Sequence, residues 1–158
     1  ITKMLWNAGK GKMKHEILIY NKTKRRVPGK LIKSVILKVL QFLKIKQPAQ
    51  LAVLVVDRAE IKILNKVWRK KNEIPDELSF GLNSRPPAGG VKFAKYNNSV
   101  LELGEIVINA DKISDRDYLS NILVHSLLHL LGYHHEKSVK VAKKTERLEK
   151  RILKYLEI

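Results

Sequence analysis

The sequence predicts a single α+β domain, in which helices pack on a small mixed four-stranded sheet and a histidine-bearing helix occupies the centre. Two observations predict this class. The chain of 158 residues is long enough to bury one sizeable core. Along it, runs of apolar and β-branched residues alternate with segments of helical periodicity in the order βαβαββαα.

The first predicted element is a short strand at residues 16–20. Residues 1–14 before it are basic and show no periodicity, so we interpret them as a poorly ordered arm or as an extension foreign to the natural protein. The folded domain is therefore assigned to residues 15–158. No run in the chain approaches the roughly 18 apolar residues that span a membrane, so we expect no membrane partner.

The next segments alternate helix and strand. Apolar residues at spacings of three and four over residues 30–45 predict an amphipathic helix, and the β-branched run at residues 51–56 predicts a buried strand. Asp57 is placed to cap a second helix that runs to about Lys71, with Glu60 completing a capping box. The predicted inner face of this helix consists of Ile61, Leu64, Val67 and Trp68.

Two strands follow a turn that contains Pro75. Residues 77–82 predict the first of them, and residues 83–99, rich in proline, glycine and asparagine, predict a long loop. The second strand is predicted at residues 101–109, where Gly104 indicates a bulge.

Two helices complete the predicted domain. Ser114 or Asp115 caps a helix that runs to about Leu131, and because this helix is apolar nearly all round, we expect it at the centre of the fold. Residues 139–157 form a basic amphipathic helix with the inner face Val141, Leu148, Ile152 and Leu156.

Lysine and arginine outnumber aspartate and glutamate by 32 to 15, which gives a net charge of +17. Such a surface attracts polyanions by counterion release, so nucleic acid is the expected partner, and the alternative is a coat of charges that only solvates the surface. Three basic clusters can carry the backbone of a nucleic acid or be solvated surface: Lys24-Arg25-Arg26, Arg69-Lys70-Lys71 and Lys143-Lys144.

The chain contains no cysteine. Disulfide partners and thiolate metal sites are therefore excluded, and any metal must be held by histidine or carboxylate. The absence of cysteine fits an intracellular, cytoplasmic location.

Four of the five histidines lie within thirteen consecutive residues. His125 and His129 are four residues apart in an apolar helix, which places their Cβ atoms roughly 5–6 Å apart and lets both imidazoles reach one cation. Gly132 then allows the chain to turn back and bring a third imidazole alongside, from either His134 or His135. Three neutral nitrogen ligands suit Zn²⁺ and leave a fourth position for water.

Histidines in such a segment also have roles other than metal binding. A lone histidine in an apolar segment is usually a structural residue bonded to a carbonyl, and we assign His15 to such a role at the edge of the first strand. The zinc peptidase motif HExxH requires glutamate directly after its first histidine as the general base. Ser126 occupies that position here, so the peptidase hypothesis loses its catalytic base.

The pattern His125-x3-His129-x5-His135 resembles the signature HGxLHLxGYDH of the YbeY family of bacterial endoribonucleases. Two further blocks agree in the family's order: LNKVWR followed by DELSF within residues 64–80, and LGEIVI at residues 103–108. The resemblance covers residues 15–157 and implies that His135 is the third metal ligand. The chain departs from the pattern at Pro75 (Thr in the family), Glu77 (Val), Glu105 (Asp), Ser126 (Gly) and His134 (Asp).

The resemblance implies a zinc-dependent endoribonuclease directed at single strands. Its implied task is the maturation of ribosomal RNA, especially the 3′ end of the small-subunit RNA, and ribosome quality control, in association with the ribosome in the cytoplasm. Arg69 is the candidate phosphate-facing cation, because a guanidinium matches phosphate oxygens. The alternative for Arg69 is a salt bridge to Asp76 or Glu73. We interpret Ser79, in the same block, as an ordinary strand residue.

Two rival hypotheses come from other functional classes. In the first, the chain is a non-catalytic RNA- or ribosome-binding factor, and zinc only fastens the histidine helix to the C-terminal segment. In the second, it is a metal-dependent hydrolase of another substrate, such as a peptide or a small phosphoester.

Overall fold

The computed structural model describes residues 14–81, 100–133 and 138–157. Most of the predicted arm, the predicted loop at residues 83–99, and both His134 and His135 lie outside these ranges. The described elements are β1 (Glu16–Asn21), α1 (Gly29–Phe42), β2 (Ala49–Val56), α2 (Arg58–Arg69), β3 (Glu77–Gly81), β4 (Leu101–Asn109), a short 3₁₀ turn (Ala110–Lys112), α3 (Arg116–Leu130) and α4 (Val139–Tyr155). The predicted βαβαββαα order and α+β class are confirmed.

The four strands form one sheet in the order β1-β2-β4-β3. β1 pairs parallel with β2, and β2 pairs parallel with β4, whereas β3 pairs antiparallel with β4 at the edge. Parallel neighbours need a long crossover connection, which α1 supplies between β1 and β2. The predicted small mixed sheet is therefore confirmed, and β3 is its edge strand beside β4.

Helices cover both faces of this sheet. Ile106 and Ile108 of β4 belong to the larger core, together with residues of α1, α3 and α4. Val107 between them belongs to a smaller cluster with Ile61 of α2. Alternate residues of a strand point to opposite faces, so α2 lies across the sheet from the other helices. No helix in the described ranges is long and apolar enough to cross a membrane.

The helix α3 is central, as its all-round apolar sequence predicts. It contacts α1, α4, β3 and β4. Its side chains Leu119, Leu123 and Leu127 have no exposed surface. The histidines of α3 are consequently carried on one of the most firmly held elements of the molecule.

The predicted inner face of α2 is wrong at two positions. Val67 and Trp68 are 54% and 66% exposed, and Asn65 is buried instead. Val67 is turned roughly 120° around the helix from the buried Ile61. Trp68 does align with Ile61, but it lies two turns further along, at the end of the helix, where the small cluster ends.

Gly104 forms the predicted bulge in β4. Gln50 of β2 pairs with Glu102, but the next residue of β2 pairs with Gly104, so β4 contains one extra residue. Gly104 has a φ of +117°, and a Cβ atom at this position would overlap the carbonyl oxygen of Phe80. Only glycine fits the close approach of β4 to β3 here.

Replacing Gly104 with alanine is therefore expected to destabilise the fold by more than about 3 kcal/mol, because backbone strain and steric overlap act together. The matched control is Gly29→Ala, whose added Cβ meets only the Cδ1 atom of Ile19 at 3.7 Å. This control should change stability by less than about 1 kcal/mol. Denaturant unfolding measures both variants, and similar midpoints would contradict the role of Gly104.

Candidate metal centre

The helix α3 begins and ends where local chemistry requires. The side chain of Asp115 caps its first turn, which selects Asp115 over Ser114 as the N-cap. At the other end Gly132 has a φ of +92°. Its N–H donates to the carbonyl of His129 at 3.0 Å, and the N–H of Tyr133 donates to the carbonyl of Leu128 at 2.9 Å. These two bonds form a Schellman motif, so the chain turns at Gly132 as predicted.

His125 and His129 bring their ring nitrogens together at the end of this helix. The two Nε2 atoms are 3.1 Å apart, and the ring centroids are 4.5 Å apart. Two nitrogens bound tetrahedrally to one zinc ion at 2.0–2.1 Å lie about 3.3–3.4 Å from each other. The pair therefore fits a shared zinc ion with little adjustment. Within the described ranges no set of three metal-ligating side chains converges.

Glu149 of α4 fixes the orientation of the His125 ring. Its Oε1 atom lies 2.8 Å from Nδ1 of His125. With the Nδ1 proton donated to this carboxylate, the lone pair on Nε2 is directed towards His129. The hydrogen bond that His125 donates to Glu149 raises the pKa of His125 against the effect of burial, and the charges of Glu149 and Glu77 raise it further.

Glu149 is a functional residue that the sequence patterns above do not predict. It lies on the inner side of α4, four residues after the buried Thr145 and three before the buried Ile152. An acidic residue on the buried stripe of a basic helix was the available signal, because an inward carboxylate needs a partner. That partner is supplied by α3, which a pattern within α4 alone does not reveal.

Glu77 connects the edge strand β3 to the histidine helix. Its Oε2 atom accepts hydrogen bonds from the hydroxyls of Ser126 at 2.7 Å and Ser79 at 2.9 Å. Glu77 and Ser126 are two of the positions where the chain departs from the family pattern of valine and glycine. These two residues contact each other. The hydroxyl of Ser126 supplies a hydrogen-bond donor to the Glu77 carboxylate, which β3 directs towards α3.

An open cleft of about 460 Å³ lies beside the histidine pair. Its lining residues are Pro75, Asp76, Glu77, Asn121, Ile122, His125 and Glu149. Three of them are carboxylates, although the chain carries a net charge of +17. Their local negative potential favours the binding of a cation at this place.

Asp76 at the rim of the cleft has contacts of its own. Its carboxylate accepts a hydrogen bond from the hydroxyl of Tyr118 and lies 3.7 Å from the ammonium group of Lys112. The hydrogen bond to Asp76 raises the pKa of the Tyr118 hydroxyl. These contacts attach the rim to the start of α3.

Arg69 lies at the edge strand but is not paired with a carboxylate. Its Nη2 atom donates to the backbone oxygen of Ser79 at 2.8 Å, and its guanidinium carbon is 5.8 Å from the centre of the Phe80 ring. No ion pair of Arg69 occurs among the residues that the structure describes, so the alternative of a salt bridge to Asp76 or Glu73 is wrong. Ser79 binds both Arg69 and Glu77, and thereby links this cation to the cleft.

Two buried amides hold the segment that leads into the cleft. The side chain of Asn65 donates to the carbonyl of Glu73 at 3.1 Å, and that of Asn109 donates to the carbonyl of Pro75 at 3.3 Å. Both asparagines are nearly inaccessible to solvent. They fix the turn between α2 and β3, and so position the rim of the cleft.

His15 and the first basic cluster have structural contacts elsewhere. Nδ1 of His15 accepts from the backbone N–H of Ala49 at 3.0 Å, and Nε2 contacts the carbonyl of Ile45 at 3.1 Å. Burial lowers the pKa of His15, which favours the neutral ring that these bonds require. Arg25 binds the carboxylate of Asp111 at 2.6 Å, so it is engaged in an ion pair.

Comparison with known proteins gives one consistent family. A family model described as endoribonuclease YbeY matches residues 18–157. A protein of Thermodesulfovibrio yellowstonii named endoribonuclease YbeY is 35% identical over 161 residues, covering 88% of this chain and 95% of that protein. A protein of the same name from Persephonella marina is 33% identical over 127 residues, covering 75% of this chain and 76% of that protein.

A solved structure resembles the fold. The solution structure of a Thermotoga maritima protein superposes with a TM-score of 0.53, covering 87% of this chain and 86% of that one. At 24% sequence identity this is a likeness of fold alone.

Proposed function

The chain belongs to the endoribonuclease YbeY family and is an endoribonuclease, and on that premise we propose that it uses zinc to cleave single-stranded ribosomal RNA. The single observation that carries the proposal is the 3.1 Å separation of the Nε2 atoms of His125 and His129 beside an open cleft. At this separation both nitrogens can bind one zinc ion, and the cleft leaves room for a substrate beside it.

The zinc ligands in this proposal are His125, His129 and His135. The first two are supported by the geometry above, and His135 is proposed from the sequence pattern because it lies outside the described residues. Zinc held by these residues would supply Lewis-acid chemistry towards a phosphodiester. Glu149 keeps the Nδ1 proton of His125 in place, so that Nε2 stays available as a ligand.

Arg69 is the proposed cation for the substrate phosphate. A guanidinium carries five N–H donors, and the one on Nη2 that binds Ser79 leaves others for phosphate oxygens. Arg69 is exposed at the end of α2, next to the edge strand β3. Its partner Ser79 is bonded to Glu77, which lines the cleft. The net charge of +17 supplies the general attraction for an RNA backbone.

The biological task that we propose is maturation of ribosomal RNA at the 3′ end of the small-subunit RNA, together with ribosome quality control, in association with ribosomes in the cytoplasm. Family membership and the basic surface support this task. Ser126, in the position that a zinc peptidase needs for its glutamate, argues against a peptide substrate.

Metal analysis combined with a cleavage assay tests the proposed function. The purified protein is expected to contain zinc and to cut a single-stranded ribosomal RNA fragment. Cleavage should stop when a chelator is added and resume when zinc is restored. Binding of RNA with a steep salt dependence but without metal-dependent cleavage would favour a non-catalytic binding factor with structural zinc. Cleavage of peptides but not RNA would favour a different hydrolase.

Glu149→Gln tests the ring-orienting contact. Loss of the carboxylate should weaken zinc binding by about 10- to 100-fold, because a partner that fixes a histidine ligand also raises its basicity. The matched control on the same helix is Glu146→Gln, whose carboxylate binds the exposed Lys150 at 3.1 Å and, among the described residues, no other side chain. Competition with a chromogenic zinc chelator measures both affinities, and equal affinities would show that Glu149 does not support the metal ligand.

A further inference from the structure

Trp68 is the most exposed aromatic residue in the described ranges. Two-thirds of its surface, 66%, is accessible to solvent, compared with 44% for Tyr155 and 41% for Tyr118. A tryptophan carries a large apolar ring system that is usually buried in a monomeric domain. Its exposure at the end of α2 leaves the indole ring available to a ligand.

Trp68 is held in place although it is exposed. Its ring lies edge-on to Phe80, with the two centroids 6.2 Å apart and an interplanar angle of 65°. The guanidinium of Arg69 lies over the same Phe80 ring at 5.8 Å and is fixed by its bond to Ser79. An indole, a phenyl ring and a guanidinium thus form one ordered group, which we call the edge cluster, at the edge strand β3.

The surroundings of the edge cluster are positively charged. Lys66 is exposed in the last turn of α2 with Arg69, and Lys70 and Lys71 are exposed directly after the helix. Within the described residues none of these four cations is in an ion pair, whereas Lys22, Arg25 and Arg58 elsewhere are each bound to a carboxylate. Aromatic faces interleaved with unpaired cations are the combination that binds single-stranded nucleic acid.

The edge cluster also lies within reach of the cleft. Phe80 is three residues from Glu77 along β3, which corresponds to about 10 Å. Glu77 lines the cleft on the α3 side, and Trp68 lies on the α2 side of the same edge strand. A single strand that crosses this edge can therefore contact both places.

We propose that Trp68 is a stacking platform for an unpaired base of the RNA substrate, and that the neighbouring cations contact the adjoining phosphates. This inference rests on the proposed function and adds to it how the single strand is bound outside the cleft. Stacking is tolerant of sequence but requires an unpaired base. A duplex, whose bases are already stacked on one another, does not use this platform.

Tryptophan fluorescence and RNA binding test the proposal. Trp6→Phe leaves Trp68 as the only tryptophan of the chain, and its emission is expected to be quenched by a 2′-O-methyl oligouridylate but not by an RNA duplex of equal length. Trp68→Ala should weaken binding of the labelled single strand by about 5- to 150-fold. Trp68→Phe, which keeps an aromatic face, should restore most of that loss without changing the salt dependence.

Ile63→Ala is the matched control, because Ile63 is similarly exposed on the same helix, at 61%, but offers no ring. It should bind RNA like the unaltered chain. If the unaltered chain cleaves and binds single strands but Trp68→Ala does so equally well, the stacking inference is overturned and the proposed function stands. Equal losses of RNA binding in Ile63→Ala and Trp68→Ala would show that the effect does not depend on an aromatic ring, and would also overturn the stacking inference. If the unaltered chain does not bind single strands at all, both proposals fail together.

Discussion

His129→Ala is expected to remove both the bound zinc and the cleavage of RNA. The substitution deletes one of two ring nitrogens that lie 3.1 Å apart, and the two remaining proposed ligands are fewer than the three that a catalytic zinc site uses. Cleavage should fall to the level of a sample treated with chelator. Zinc content by elemental analysis and cleavage of a single-stranded ribosomal RNA fragment are the two measurements.

The control for this substitution is His15→Gln, which alters a histidine whose ring binds only the backbone of Ile45 and Ala49 among the contacts described. Zinc content should be unchanged there. A His129→Ala protein that loses zinc but still cleaves RNA would assign the metal to structure and not to catalysis.

Comparing the zinc content of His134→Ala and His135→Ala decides which residue is the third ligand. Loss of zinc only in His134→Ala would overturn the assignment of His135.

The parts of the site that the sequence predicts are those fixed by local backbone chemistry. The spacing of His125 and His129 places their rings on one side of a helix whatever surrounds it. The turn at Gly132 and the bulge at Gly104 each require a backbone conformation that glycine adopts most easily. The order of helices and strands is predicted for the same reason. A spacing of three and four between apolar residues indicates a helix, and a short β-branched run indicates a strand.

The parts that the sequence does not predict depend on which elements meet. The contact of Glu149 with His125 joins two helices, and the contact of Glu77 with Ser126 joins a strand to a helix. The sequence around Glu149 or Glu77 does not show which residue of α3 each carboxylate contacts. The exposure of Trp68 has a similar origin, since a helical pattern shows which face is apolar but not where the sheet beneath it ends.

Arg69→Ala is expected to leave zinc in place and to reduce cleavage by about 100- to 1,000-fold, the usual effect of removing one preorganised donor to a charge that develops in the transition state. The guanidinium is fixed by Ser79 and by the Phe80 ring, but carries no ion pair in the described part of the chain. Its charge is therefore not neutralised by a carboxylate of the protein and is available to a phosphate. Arg69→Lys should recover only part of the activity, because an ammonium group lacks the planar fork.

The control must separate this specific role from the loss of one positive charge and from damage to the edge strand. Lys38→Ala removes an exposed cation of α1, and it should weaken RNA binding only slightly while cleavage of bound RNA continues. Unfolding midpoints of Arg69→Ala and Arg69→Lys should remain close to that of the unaltered chain, since the side chain is exposed. Single-turnover cleavage at saturating RNA is the deciding measurement: an unchanged rate in Arg69→Ala would remove Arg69 from the reaction and leave it as a surface cation that binds Ser79.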